Sequence, residues 1–135
     1  MRKLLLIIFV VPVLLSGQAE KVQLFSSLSL PIHKKNITAI ATDFMGLNWI
    51  GTLDGLVCYN GERWHTITTE NSIIPSDKIL SIAIKNDIKY IGTTEGLLII
   101  DHNNWTVFNS ENSNLPSNKI RKIIINNHLV WIATS

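Results

Sequence analysis

The side chains able to do chemistry in this sequence are few and widely separated. Two carboxylates, Asp54 and Glu95, stand in the same local setting, each followed by Gly-Leu, at an offset of 41 residues. A carboxylate pair is the equipment of acid–base hydrolysis. A carboxylate just before a Gly turn more commonly accepts backbone N–H bonds, and that turn role is the expectation for both. The four histidines, His33, His65, His102 and His128, show no close spacing of the kind a metal site uses. They are expected at turns or in solvent, with no metal and no other cofactor. Cys58 is the single cysteine, so an internal disulfide is excluded, and no base or orienting group accompanies it as a nucleophile. It is expected as a small core hydrophobe on an interior strand. Trp49, Trp64 and Trp105 could stack on sugar rings, but aromatic positions that return in every unit suit packing, with the indole N–H groups bonded locally. No catalytic residue is therefore assigned.

The elements that would position these residues begin after an N-terminal leader. Arg2 and Lys3 precede an apolar run from Leu4 to Leu15, and Ser16, Gly17, Gln18 and Ala19 follow. This is the layout of a signal peptide over residues 1–19. The run falls short of the roughly 20 apolar residues of a membrane-spanning helix, so no stable membrane span is expected. Removing residues 1–19 leaves 116 residues with ten basic and ten acidic side chains. A chain without net charge has no electrostatic footing on nucleic acid or on an anionic membrane.

The remainder is built on one repeat. Residues 49–89 overlie residues 90–130 without a gap and match at 16 of 41 positions. Ile50-Gly51-Thr52 returns as Ile91-Gly92-Thr93, Gly55-Leu56 as Gly96-Leu97 and Trp64 as Trp105. Glu70-Asn71-Ser72, Pro75-Ser76 and Lys78-Ile79 return as Glu111-Asn112-Ser113, Pro116-Ser117 and Lys119-Ile120. A third copy opens at Trp131, with Ala133 at the place of the motif glycine. A half-copy containing Ile37 and Ile40 precedes the first, offset by one inserted residue.

Within each unit the pattern is β throughout. Short β-branched runs at Ile79–Ile84, Ile88–Thr93 and Leu97–Asp101 and the segment carrying Trp105 and Phe108 are separated by turn residues. Asn60-Gly61 is expected to form a tight hairpin with a primed turn. Four antiparallel strands in about 41 residues make one sheet that cannot bury both faces alone, and radial stacking of such sheets is a β-propeller. The predicted fold is all-β: residues 20–135 form a partial β-propeller of about two and a half repeats. Innermost strands are expected at Ile37–Asp43, Ile79–Ile84 and Ile120–Ile125, and Val22–Phe25 as an outer strand before the first of them. Rings contain four or more blades, so further propeller blades or self-association are expected as partners.

The loops from outer to inner strand, Thr69–Lys78 and Ser110–Lys119, have best access to a central channel, with the Asp54 and Glu95 turns on the same face. They are rich in Asn, Ser and Glu, which suit sugar hydroxyls. The candidate ligand-binding residues are Asp54, Asn71, Ile73, Glu95, Asn112 and Asn114. Residues shared by the two loops, such as Asn71, Ser72 and Pro75, are expected to shape them. Differing positions, Ile73 against Asn114, are where ligand choice would lie.

The series Trp49-Ile50-Gly51-Thr52, Asp54-Gly55-Leu56, Trp64, Asn71-Ser72, Pro75-Ser76 and Ile79 resembles the two-component regulator propeller repeat. The resemblance implies a secreted or periplasmic sensor scaffold for signal transduction, with a polysaccharide-derived oligosaccharide or another small molecule as ligand. Unlike that family, this sequence shows no second propeller, no immunoglobulin-like domain and no kinase or DNA-binding part. Two alternatives stay open beside the non-enzymatic binding module: a fragment of a propeller-type lyase or glycosidase, and a truncated, inactive gene product. Mass spectrometry of the exported protein is expected to find a mature N-terminus at Glu20; a cytoplasmic species retaining Arg2 would refute the leader.

Overall fold

A computed structural model describes residues 36–135, which lie within one unit, 31–135. The expected leader, the expected Val22–Phe25 strand and His33 lie outside the described residues. All ten elements among the described residues are strands. Ile37–Thr42 (β1), Asn48–Thr52 (β2), Gly55–Tyr59 (β3) and Trp64–Ile67 (β4) form one antiparallel sheet in chain order. Ile79–Lys85 (β5), Ile88–Thr93 (β6), Leu97–Asp101 (β7) and Asn104–Phe108 (β8) form the second, and Ile120–Asn126 (β9) pairs with Leu129–Thr134 (β10). The units are thus the blades expected from the repeat, and the three first strands are the innermost ones, β5 lying against both β1 and β9.

The blades pack face to face through apolar side chains that alternate along the strands. Trp49, Leu56, Ile67 and Ile74 of the first blade meet Ile79, Ile91, Leu98 and Ile100 of the second in one core. Leu97 of the second blade forms the next core with Ile120 and Ile123 of β9. Cys58 is half-buried on β3 against the first core, as its position in an interior strand implied. Burial raises its thiol above the ordinary range, with the Asp43 charge adding to the effect.

Each inner strand departs from regular pairing at the same place. Ile37 and Ala39 are consecutive partners of β2, Ile79 and Ser81 of β6, and Ile120 and Lys122 of β10, so Thr38, Leu80 and Arg121 are extra residues in three equivalent bulges. Hydrogen bonds cross between blades beside these bulges: the Thr38 hydroxyl donates to the Ile79 carbonyl at 2.7 Å, and Ser81 Oγ accepts from the Ile123 N–H at 3.0 Å.

The primed turn lies elsewhere than at Asn60-Gly61. There Asn60 Oδ1 accepts the N–H groups of Glu62 at 2.9 Å and Arg63 at 2.8 Å, producing a four-residue loop in which Gly61 alone has positive φ. The side-chain oxygen takes the Arg63 N–H that a two-residue turn would give to the Asn60 carbonyl, while the Asn60 N–H still donates to the Arg63 carbonyl at 3.4 Å. Two consecutive positive φ values, 48° and 68°, instead occur at Asn86 and Asp87, where Lys85 pairs directly with Ile88.

The residue inserted before Trp49 enlarges the β1–β2 turn, and a buried ionic cluster holds that turn. Asp43 Oδ1 accepts the N–H groups of Met45 and Leu47, both at 3.0 Å, and Oδ2 accepts the Trp49 indole N–H at 3.0 Å. Lys89 of the second blade lies 3.4 Å from Asp43, 2.7 Å from Asp87 and 5.6 Å from the Trp49 ring centroid. Burial by itself would raise the Asp43 carboxyl, but the hydrogen bonds from Trp49 and Leu47 and the Lys89 charge bring it below its ordinary 3.8. A depressed carboxylate stabilises the fold above its unfolded pKa, and that contribution disappears as pH falls through the lower folded value. Asp43→Asn is expected to cost about 1.5–3 kcal/mol at neutral pH. Urea melts from pH 6 to pH 2 should show the variant losing less stability than the parent below pH 4; parallel curves would refute the assignment.

Candidate ligand-binding face and groove

The two outer-to-inner loops are built on one plan. Asn71 Oδ1 accepts the Thr68 N–H at 2.8 Å and its amide donates to the Thr66 carbonyl at 2.9 Å. Asn112 repeats this with the Asn109 N–H at 2.8 Å and the Val107 carbonyl at 3.0 Å. Ser72 and Ser113 each donate to the carbonyl four residues earlier and accept an N–H two residues later. Asp77 Oδ1 accepts the Thr69 N–H at 2.7 Å, as Asn118 Oδ1 accepts that of Ser110 at 2.7 Å. The Asp77/Asn118 clamp escaped the sequence reading because Asp and Asn differ in charge. Both offer the same acceptor oxygen, which was the available signal.

The short turns lie against these loops. The Gly55 N–H donates to the Asp77 carbonyl at 2.8 Å, and the Ser76 and Thr94 hydroxyls lie 2.8 Å apart, linking the first loop to turns of both blades. Asp54 and Glu95 therefore share a face with the loops. Within the turns, however, it is the buried motif threonine that closes the backbone. Thr52 Oγ1 accepts the Asp54 N–H at 3.0 Å and donates to the Gly55 carbonyl at 2.7 Å; Thr93 does the same to Glu95 at 3.1 Å and Gly96 at 2.9 Å. The Glu95 side chain is exposed and Asp54 half-exposed.

The six candidate residues do not gather in one cavity. Asn71 and Ile73 border a groove of about 590 Å³, where His65 and Ile67 of β4 face Asn103 and Trp105 of the second blade. Asn114 borders a smaller hollow of about 360 Å³ with Phe108, Leu115 and Ile132. Asp54, Glu95 and Asn112 line neither. A depression of about 560 Å³ at the opposite strand ends, between Phe44 and His102, contains none of the six. Asn71 and Asn112 spend their amides on the loops, whereas Ile73 and Asn114 are exposed and differ in chemistry.

The tryptophans occupy equivalent register positions, Trp64 opposite Tyr59 and Trp105 opposite Ile100, yet differ in surroundings. Trp64 stacks on Tyr59 with centroids 4.1 Å apart, while Trp105 packs at the margin of the inter-blade core. The expectation of locally bonded indoles holds for Trp49, whose N–H meets Asp43; the Trp105 N–H bonds to no described residue. Among the described residues no group of three His, Cys, Asp or Glu side chains is arranged to hold a metal ion.

Stacked four-stranded sheets with inner strands side by side find counterparts among solved structures. The extracellular domain assigned to a hybrid two-component system of B. thetaiotaomicron matches with a TM-score of 0.67 and 20% identity, over 87% of this chain and 17% of that one. The fold is that of β-propeller blades. PorZ, a surface component of the type-IX secretion system of Porphyromonas gingivalis, matches with a TM-score of 0.64 and 21% identity, over 90% of this chain and 20% of that one. This chain spans about a fifth of the length of these neighbours. No family model and no curated protein matches it. The motif resemblance to two-component regulator propeller repeats and the first neighbour agree in fold.

The shared loop plan makes a direct test of the framework. Asn112→Ala removes two hydrogen bonds and is expected to cost about 0.5–1.5 kcal/mol for each, lowering the thermal midpoint. An unchanged midpoint would show that the amide does not hold the loop.

Proposed function

We propose that the protein is a secreted or periplasmic, non-catalytic β-propeller module of a sensor, and that it binds an oligosaccharide. One observation carries this reading. The two loops have the same hydrogen-bonded frame, yet present different side chains, Ile73 and Asn114, at equivalent exposed tips. A rigid frame with variable tips is how binding loops are displayed on a scaffold. The neighbours support a place outside the cytoplasm, one being an extracellular domain and the other a bacterial surface component. Signal transduction would then follow from the extracellular domain's own assignment to a two-component system.

Binding rather than turnover is also supported by where the carboxylates stand. Asp54 and Glu95 occupy equivalent turns on successive blades, a placement set by the repeat and not by the two sides of a scissile bond. The full chain, incubated with an array of polysaccharide-derived oligosaccharides, is expected to retain at least one of them without releasing shorter products. Product formation lost in Asp54→Asn or Glu95→Gln would overturn the reading in favour of a lyase or glycosidase.

A further inference from the structure

Resting on that reading, we propose that the groove between the rims of the two complete blades is a binding site for a neutral sugar chain, with Trp105 as its stacking platform. The groove lies along the outer strand β4 and is separate from the turns that carry Asp54 and Glu95. Its volume of about 590 Å³ falls within the ~300–1,000 Å³ usual for small-ligand sites.

Three features of its walls point to a sugar. The first is the Trp105 ring, which has no aromatic cover from its own blade. Ile100 stands opposite it, where Tyr59 stacks on the equivalent Trp64 in the first blade. An indole anchored in the core on one side and bordering a groove on the other offers the flat apolar surface that a pyranose C–H face fits.

The second feature is the set of polar groups beside it. The Trp105 indole N–H, the Asn103 amide and the His65 ring form no hydrogen bond with any other described residue. Asn71 and Ser72, next to them, are held in place by the loop frame. An amide supplies donors and an acceptor together, which suits hydroxyls that also do both. By contrast the Trp49 indole is engaged by Asp43, and the Asn60 side chain by Glu62 and Arg63.

The third feature is charge. Among the described residues no Asp, Glu, Lys or Arg lines the groove. A uronate or sulfate placed there would exchange hydration for no opposite charge, so the walls select a neutral chain. The decoration also belongs to one blade boundary. His65 and Ile73 are replaced at the next repeat by Thr106 and Asn114, and the hollow there is apolar apart from Ser113 and Asn114. Packing residues repeat from unit to unit, whereas these do not.

The test is titration of the full chain with neutral glucan, mannan and xylan oligosaccharides and with uronate-containing counterparts. Neutral members are expected to bind, and His65→Ala and Asn103→Ala, both at exposed positions, to weaken them about three- to tenfold each. Trp105→Leu should abolish binding, and a thermal melt separates that loss from unfolding. Binding unaffected by His65→Ala and Asn103→Ala but lost in Glu95→Ala would place the ligand at the turn face, overturning the groove and leaving the binding function intact. Preference for uronates would overturn the neutral-chain assignment. Retention of no member would overturn the groove and the oligosaccharide reading together.

Discussion

The close approach of one sheet to the next is the constraint on which the rest of this structure depends. A Cβ built on Gly51 would lie 2.7 Å from Ile79 Cγ2, and one on Gly92 would lie 2.7 Å from Ile120 Cγ2. In both cases the second strand of one blade touches the first strand of the next, so hydrogen in place of a methyl group sets the blade spacing. Any side chain there would push the inner strands apart and loosen both apolar cores, an overpacking cost of about 1–3 kcal/mol. The isoleucines that approach these glycines are themselves fully buried. At the equivalent position in β10 stands Ala133, which is exposed and has no such neighbour among the described residues.

Around this contact the molecule divides its polar groups between two tasks. Some join blades: Thr38 to Ile79, Ser81 to Ile123, and the buried Asp43–Trp49–Lys89 cluster across the first boundary. Lys85, whose ammonium group meets the Asn127 carbonyl, links the second blade to β9–β10 in the same direction. These bonds compensate the desolvation of the groups that form them, so apolar burial remains the principal source of stability. Others stiffen loops. Asn71 and Asn112, Ser72 and Ser113, and Asp77 and Asn118 hold backbone that has no ladder partner.

That division bears on where function can reside. Residues that hold a blade or a loop must return with every unit, since each unit meets the same mechanical demand. Trp105 returns with the repeat because it also packs against the core, whereas groove residues without a packing task are released from the repeat. His65, Ile73 and Asn103 are of this second kind, and the fold brings all three to the groove that Trp105 borders. The scaffold is therefore periodic while its proposed binding surface is not.

Much of the architecture is written in the 41-residue period. Runs Ile88–Thr93 and Leu97–Asp101 are strands with those bounds, because β-branched alternation ends abruptly at Asn, Asp and Gly. The repeat also placed Cys58 inside and the Asp54 and Glu95 turns beside the long loops, since identical units must meet neighbours in identical ways. What the sequence could not determine were features that depend on partners distant in the chain. The bulges at Thr38, Leu80 and Arg121 arise from strand pairing, and the Asn60 loop from a side chain outcompeting a backbone bond. Most of all, Asn71 and Asn103 are 32 residues apart in different blades, and only the stacking of those blades makes them walls of one groove. Periodicity fixes how each unit folds; contact between units decides which unlike residues meet.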